Sequence, residues 1–520
     1  MDRPMASPTR TPIRPRPRRA LAFVLAGWFV LGLVPRPAAG VPSTEFASVR
    51  LDPAELASPG IARADGAAIR LSAEKWTRAD QVCAPFAFTM AAVTWQGADE
   101  AEAALGWGEG ATRAEGEGHE GPDPGSEEWN DVEGTPLVWT GEQRCLTLKL
   151  RTHEASTLRR PRVVFINSSG TGDEQSPLAA AGAWIARGVS SVLGWMHAAP
   201  AEAWTKQPGI ILRPQWGANE SLRSVNCDGT PDYADAVRVA YIHHTASGNG
   251  YSKGGADDAI RGIYAYHVKS RGYCDIAYNF LIDKWGRTYE GRFGGITEPV
   301  IGGHAMGFNT RSTGIAALGT FSSKRPSDAM IRAFKRLIRW RLDVAHRKPN
   351  GFQWMTSAGG SNQKFDRGEN VYLRSVIAHR RTGYTDCPGD RLARFIRKIR
   401  RSATRRGHPK IYDPVQSSSD LVHGDGQVSW RARVSRSDAR WRIDIVNSSS
   451  SVVRSFTGTG TSIAGIWDGT TSGGVPVPDG DYTVNISASR GSTPARPADF
   501  TLRVCALAEP GESTCPDPDV

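Results

Sequence analysis

Three short segments between Arg213 and Arg401 constrain this chain more than any other feature. They are residues 241–245 (YIHHT), 275–280 (DIAYNF) and 378–389 (AHRRTGYTDCPG). Two imidazoles and one thiolate form the ligand set of a catalytic zinc site, which leaves its fourth tetrahedral position to water. His379 and Cys387 are eight positions apart, with Gly383 between them to permit a tight turn. Cys387 falls just before a helix expected to begin near Pro388, where the helix dipole favours the thiolate that a metal requires. The pair His243-His244 ends a β-branched run over 238–243, read as a buried strand. Successive strand residues point to opposite faces, so at most one of the two imidazoles enters a given site.

At 520 residues the chain exceeds what one hydrophobic core organises, so two to four domains are expected. The balance of 64 Lys+Arg against 53 Asp+Glu, net +11, suits a polyanionic partner such as an anionic wall polymer. It suits an Arg-rich surface with no particular partner equally well. No zinc-finger spacing and no aromatic-basic RNA motif is legible, which excludes the common nucleic-acid modules. Residues 1–40 read as a secretory signal peptide: Arg14, Arg16, Arg18 and Arg19 precede an apolar run over 20–34, and Ala38-Ala39-Gly40 offers a cleavage site. That run is too short for a comfortable membrane span, and no later stretch is apolar enough. The expected product is exported, with no stable membrane anchor.

Seven cysteines fit an oxidising compartment: Cys83, Cys145, Cys227, Cys274, Cys387, Cys505 and Cys515. If Cys387 binds metal, the other six fall by domain into Cys83–Cys145, Cys227–Cys274 and Cys505–Cys515, although six cysteines allow 15 pairings.

The expected organisation is multidomain. Residues 41–204 form a leader and a β-rich accessory domain, with strands near 86–94, 146–151 and 163–167. Within it, residues 98–134 hold twelve Asp/Glu against one Arg and read as a mobile acidic loop. Residues 205–402 form a central α/β domain. It carries a helix over 257–270 with Ile260, Ile263, Tyr264, His267 and Val268 inward, and a second, capped by Ser327. Residues 403–425 read as a linker, and 426–520 as a small β-sandwich with Gly/Asp turns.

The central motifs resemble the peptidoglycan recognition protein family, the zinc N-acetylmuramoyl-L-alanine amidases shared with amidase-type phage lysozymes. The pieces that carry the resemblance run in order: Arg213-x-x-Trp216-Gly217-Ala218, Ile242-His243-His244-Thr245, His267, Cys274 through Phe280, Gly286, Tyr289-Glu290-Gly291-Arg292, Gly303-His304-Ala305, Asn309, Gly314-Ile315, and His379-Arg380 through Cys387-Pro388-Gly389. The resemblance implies a mixed sheet flanked by helices. It also implies Zn2+ held by His243, His379 and Cys387, with Tyr278 and Thr385 as catalytic residues. His304, Asn309, His267 and Arg292 would line a groove for the peptidoglycan stem peptide. The implied reaction is hydrolysis of the lactyl amide between N-acetylmuramic acid and L-alanine by an extracellular, wall-associated enzyme. Family members that lose the cysteine bind without cleaving, so a peptidoglycan receptor is the alternative, and a surface adhesin a third reading. The C-terminal pattern resembles the immunoglobulin-like module of flagellar-hook capping proteins.

Overall fold

The computed structural model describes residues 44–51, 61–65, 68–71, 73, 75–97, 101–107, 110–115, 121–152, 154–169, 204–361, 363–404, 407–424 and 426–506. The expected signal peptide and Cys515 lie outside the described residues.

Long strands dominate the N-terminal part. Thr77–Gln96, Val138–Thr152 and Ser156–Asn167 pair antiparallel, and the Cys83–Cys145 disulfide closes one rung of their ladder. The acidic stretch expected as a loop is instead partly sheet. Ala101–Trp107 and Gly110–Glu115 form a hairpin on the edge of Val138–Thr152, and Val132–Gly134 pairs with residues 94–96. The physical reason is alternation masked by composition. Ala101, Ala103 and Leu105 are buried, while Glu102 accepts two hydrogen bonds from Arg151, at 2.9 and 3.1 Å.

The central part is built in chain order from β1 (Ile210–Ile211), α1 (Arg213–Trp216), β2 (Val239–His244), α2 (Gly255–Lys269), β3 (Phe280–Ile282), β4 (Thr288–Glu290), β5 (Ser312–Ala317), α3 (Asp328–Val344), β6 (Phe352–Thr356), β7 (Asn370–Arg374), β8 (Val376–Ala378), α4 (Asp390–Ala393) and α5 (Ile396–Thr404). The sheet order is β1-β4-β3-β5-β2-β8, parallel except for the antiparallel pair β3/β4. Strand β2 lies between β5 and β8 and is buried at all six positions, as its β-branched and aromatic sequence suits. On one face, α3 and α5 bury Ile331, Phe334, Leu337, Ile338, Leu342, Ile396 and Ile399. Ser327 caps α3 by accepting from Met330 N at 3.1 Å. The last helix, expected from Pro388, starts at Asp390 and breaks before α5.

Helix α2 covers the other face, and its outer side does not meet water. Met90, Ala92, Val164 and Ile166 of the N-terminal sheet share one core with Ala256, Ala259, Ile260 and Ile263. Arg213 anchors this layer. Fully buried, it donates through Nη1 to Asp275 Oδ1 (3.0 Å) and the Gly291 carbonyl, and through Nε to Glu220 Oε1 (2.8 Å). The Arg-x-x-Trp motif is thus a packing device, with Trp216 Nε1 donating to Glu290 O at 2.8 Å. Cys227 and Cys274 are disulfide-bonded.

The stretch expected as a linker, 403–425, contains two strands. Ile411–Gln416 pairs with Val428–Val434, and Asp420–Val422 runs parallel to Ala498–Cys505. Buried Ile411, Leu421 and Val422 supply the apolar contacts that a polar average hid. With Arg440–Val446, Val452–Thr459, Ser462–Trp467 and Gly480–Arg490 they form two sheets around one core containing Trp430 and Trp467. Cys505 is disulfide-bonded.

Candidate metal centre

Strand β2 delivers His243 to the end of the sheet, and the neighbouring β8 leads directly into His379. The turn after His379 returns Cys387 to the same point, with Arg380 N donating to Cys387 O at 2.9 Å. The ligand atoms of His243, His379 and Cys387 lie within 4.8 Å of one another, and all three residues are buried. Cys387 Sγ is 3.7 Å from His243 Nδ1. Tetrahedral zinc with ordinary Zn–S and Zn–N bonds holds those atoms roughly 3.6 Å apart, so the donor set fits this ion. His244 N–H donates to Cys387 Sγ at 3.4 Å, a contact that favours thiolate character. The His244 ring turns away, its Nδ1 accepting from Phe321 N at 3.3 Å, as strand alternation requires.

Behind His243 stands His304, wholly buried. Its Nδ1 is 3.1 Å from His243 Nε2, and its Nε2 is 3.3 Å from Ser312 Oγ. This contact occupies His243 Nε2 and leaves Nδ1 facing Cys387. Burial lowers the His304 pKa to about 3, and burial with His379 and His304 alongside holds His243 well below the imidazole range. Neutral imidazole is the form that binds metal. Ser312 carries no sequence signal for this part, because serine in a strand reads as ordinary.

The Tyr278 ring lies 5.6 Å from that of His243 and 5.7 Å from that of His267. His267 projects from α2. Its Nδ1 accepts from Ala277 N at 3.0 Å, and burial, with Arg271 and Arg292 adding, lowers its pKa to about 3. Thr385 is half-buried, and its Oγ1 accepts from Cys387 N at 3.1 Å. Asn309 uses Oδ1 to accept from His304 N and Ala305 N at 2.8 and 2.9 Å.

All four residues expected to line a groove are covered: His267, Arg292, His304 and Asn309 are at most 7% exposed. The covering segment is residues 121–139 of the N-terminal part, of which 121–134 fall in the stretch expected as an acidic loop. Glu128 accepts from Arg292 Nη2 at 2.7 and 2.5 Å and from Cys274 N at 2.9 Å. Asn309 Nδ2 donates to Asp123 Oδ1 and Gly121 O, both at 2.8 Å. Tyr266 Oη donates to Thr135 O at 2.7 Å, and Trp139 N to Ser247 O at 2.8 Å. A cavity persists under residues 134–137, lined by Thr245, Tyr266, His267, Arg271 and Tyr278. The available signal was charge: an acidic stretch opposite Arg271 and Arg292.

Residues 233–390 match the family model described as N-acetylmuramoyl-L-alanine amidase. Peptidoglycan-recognition protein SC2 of Drosophila melanogaster is 30% identical over 188 residues, covering 36% of this chain and 84% of that protein. Peptidoglycan-recognition protein 1 of Holotrichia diomphalia is 35% identical over 189 residues, covering 36% and 79%. Among solved structures, Drosophila peptidoglycan recognition protein SA aligns at 28% identity with a TM-score of 0.28, over 37% of this chain and 92% of that one.

Proposed function

Since this chain belongs to the peptidoglycan recognition protein and type 2 amidase family, we propose that it is an exported zinc amidase. Its substrate would be the lactyl amide joining N-acetylmuramic acid to L-alanine in peptidoglycan. The observation that carries this reading is the convergence of His243, His379 and Cys387 at one buried point beside Tyr278.

In the proposed site these three residues hold zinc, which when bound supplies Lewis acidity and an acidified water. His304 fixes the ring of His243, presenting Nδ1 to the metal through its hold on Nε2. The His244 N–H keeps Cys387 Sγ electron-rich and in place. Tyr278 orients the attacking water or takes its proton. Thr385 Oγ1 already accepts the Cys387 N–H, so its own hydrogen is directed to an acceptor. The oxyanion that develops on the amide carbonyl is that acceptor. Residues 205–402 form the amidase module in this reading, and 426–520 an immunoglobulin-like spacer. Among the described residues no helix is long and apolar enough to cross a membrane.

A second reading, a peptidoglycan receptor without catalysis, is favoured by the names of the relatives, which are recognition proteins. One experiment separates the two: zinc content and release of free stem peptide from muropeptides, for the exported chain and for Cys387→Ser. About one zinc and peptide release in the wild type, with both lost in the variant, is the expected result. Zinc-bound wild type that retains peptidoglycan but releases no peptide would establish the receptor.

A further inference from the structure

The groove is closed by the chain's own segment, and the two halves of that segment are held by different forces. Residues 132–139 are tied down firmly: Val132–Gly134 pairs with the N-terminal sheet, and Leu137 and Trp139 pack in the core shared with α2. Residues 121–131 contribute no side chain to any apolar cluster, and Trp129 is 40% exposed. They are held to the central domain by polar bonds. Asp123 takes Asn309, Glu128 takes Arg292 and the Cys274 amide, Asn130 Nδ2 donates to Arg271 O (2.8 Å), and Arg367 Nη2 donates to Pro124 O (3.0 Å). The strap supplies two carboxylates, one accepting from the Arg292 guanidinium and the other from the Asn309 amide. Charge-assisted bonds are strong when made, yet water, salt and anionic ligands compete for them as they do not for buried apolar surface. A segment with few buried apolar contacts opens at low free-energy cost.

We propose that residues 121–131 are an autoinhibitory strap, latched by Asp123 and Glu128, which must lift before ligand reaches the groove. This rests on the reading that the groove is the ligand site, and it extends that reading to regulation. Two arrangements were otherwise available for an acidic segment. A fixed buttress would be nailed down by apolar side chains seated in a core cluster; of the three apolar side chains in residues 121–131 only Pro122 is buried, and none joins such a cluster. A solvated loop would leave Arg292 and Asn309 free, and both are engaged. Glu128 and Asp123 occupy the positions where the groove offers hydrogen-bond donors. What displaces them therefore carries carboxylates or a comparable anion.

The test uses the full zinc-loaded chain and the double variant Asp123→Asn/Glu128→Gln, neither residue belonging to the proposed catalytic set. The rate at which excess chelator strips zinc, and retention on purified peptidoglycan, are read for both proteins at low and high salt. The variant is expected to lose zinc on the order of tenfold faster and to be retained more strongly at low salt. The wild type should approach it as salt rises. Equal stripping rates and equal retention would make the segment a fixed buttress and end the proposal. Should the variant fail to fold, amide exchange on the wild type decides instead. Ser126 and Trp129, whose amides close turns within the strap, should exchange faster than the interior of α2, and equal protection would refute the strap. Faster stripping without peptide release by either protein would leave the strap standing and remove the amidase. Peptide release at the same rate from both proteins, with equal stripping, would do the reverse.

Discussion

His304 was expected to touch substrate, and in the structure it stands against His243, 3.1 Å from its Nε2. Sequence shows a histidine near other site residues but not whether it faces ligand or backs a ligand residue, because both placements use the same imidazole. The cluster of His243, His379 and Cys387 was more legible, since His379 and Cys387 stand eight residues apart around the turn glycine Gly383. Outer contacts of this kind are worth about 10–100-fold in metal affinity. His304→Ala should weaken zinc binding by that factor in a chelator competition titration, and unchanged affinity would show that His243 needs no support. A second residue-scale prediction concerns Glu220. Burial pushes its carboxyl pKa up, but Arg213 and Arg223 outweigh this and the net shift is downward. A lowered carboxylate stabilises the fold above its unfolded pKa and loses that contribution as pH falls through the folded value. Glu220→Gln should therefore cost roughly 1–3 kcal/mol at pH 7, and the gap to wild type should shrink toward pH 3 in denaturant titrations. A constant gap across that range would assign the effect to packing.

Helix α2 shows why element-level reading succeeded only halfway. Its apolar stripe of Ile260, Ile263, Tyr264 and Val268 was visible at helical spacing. Away from that stripe the helix carries Gly255, Ala259 and Gly262, which give no apolar signal yet are buried. They are small because another sheet presses there, and a sequence window cannot contain a neighbour that lies far along the chain. A Cβ on Gly262 would meet the Met90 side chain well inside van der Waals contact. Gly262→Val is expected to destabilise by about 1–3 kcal/mol. Adding Met90→Ala should restore part of that loss, giving a favourable coupling in the double-mutant cycle. Strict additivity would mean that the two elements do not press on each other. The acidic hairpin was missed for a related reason: counting charge over 98–134 averaged away the alternation of Ala101, Ala103 and Leu105.

Across the whole molecule, the boundary drawn at residue 204 divides the sequence but not the core. Met90, Ala92, Val164 and Ile166 belong with the central domain's apolar cluster, whereas Trp430, Trp467 and their neighbours form a separate one. The C-terminal sheets meet the rest through polar contacts such as Lys410 Nζ to Asp343 Oδ1 at 2.6 Å. Calorimetry of the full chain should show two unfolding transitions. The larger would combine the N-terminal sheet with the central domain, and the smaller would come from residues 411–505 alone. A single transition, or a separate one for the N-terminal sheet, would contradict this division.

The polar latch of Asp123 and Glu128 also sets what a binding measurement on this chain can mean. A site open for only a fraction of the time shows its intrinsic dissociation constant divided by that fraction. If the closed form prevails by a factor of about one hundred, every ligand of the groove binds about one hundred times more weakly than the groove itself permits. The factor is common to all ligands, so rank order among muropeptides survives while absolute affinity does not. Weak retention by the intact chain would then measure the strap, and a second molecule that merely captured the freed acidic segment would raise affinity without touching the groove.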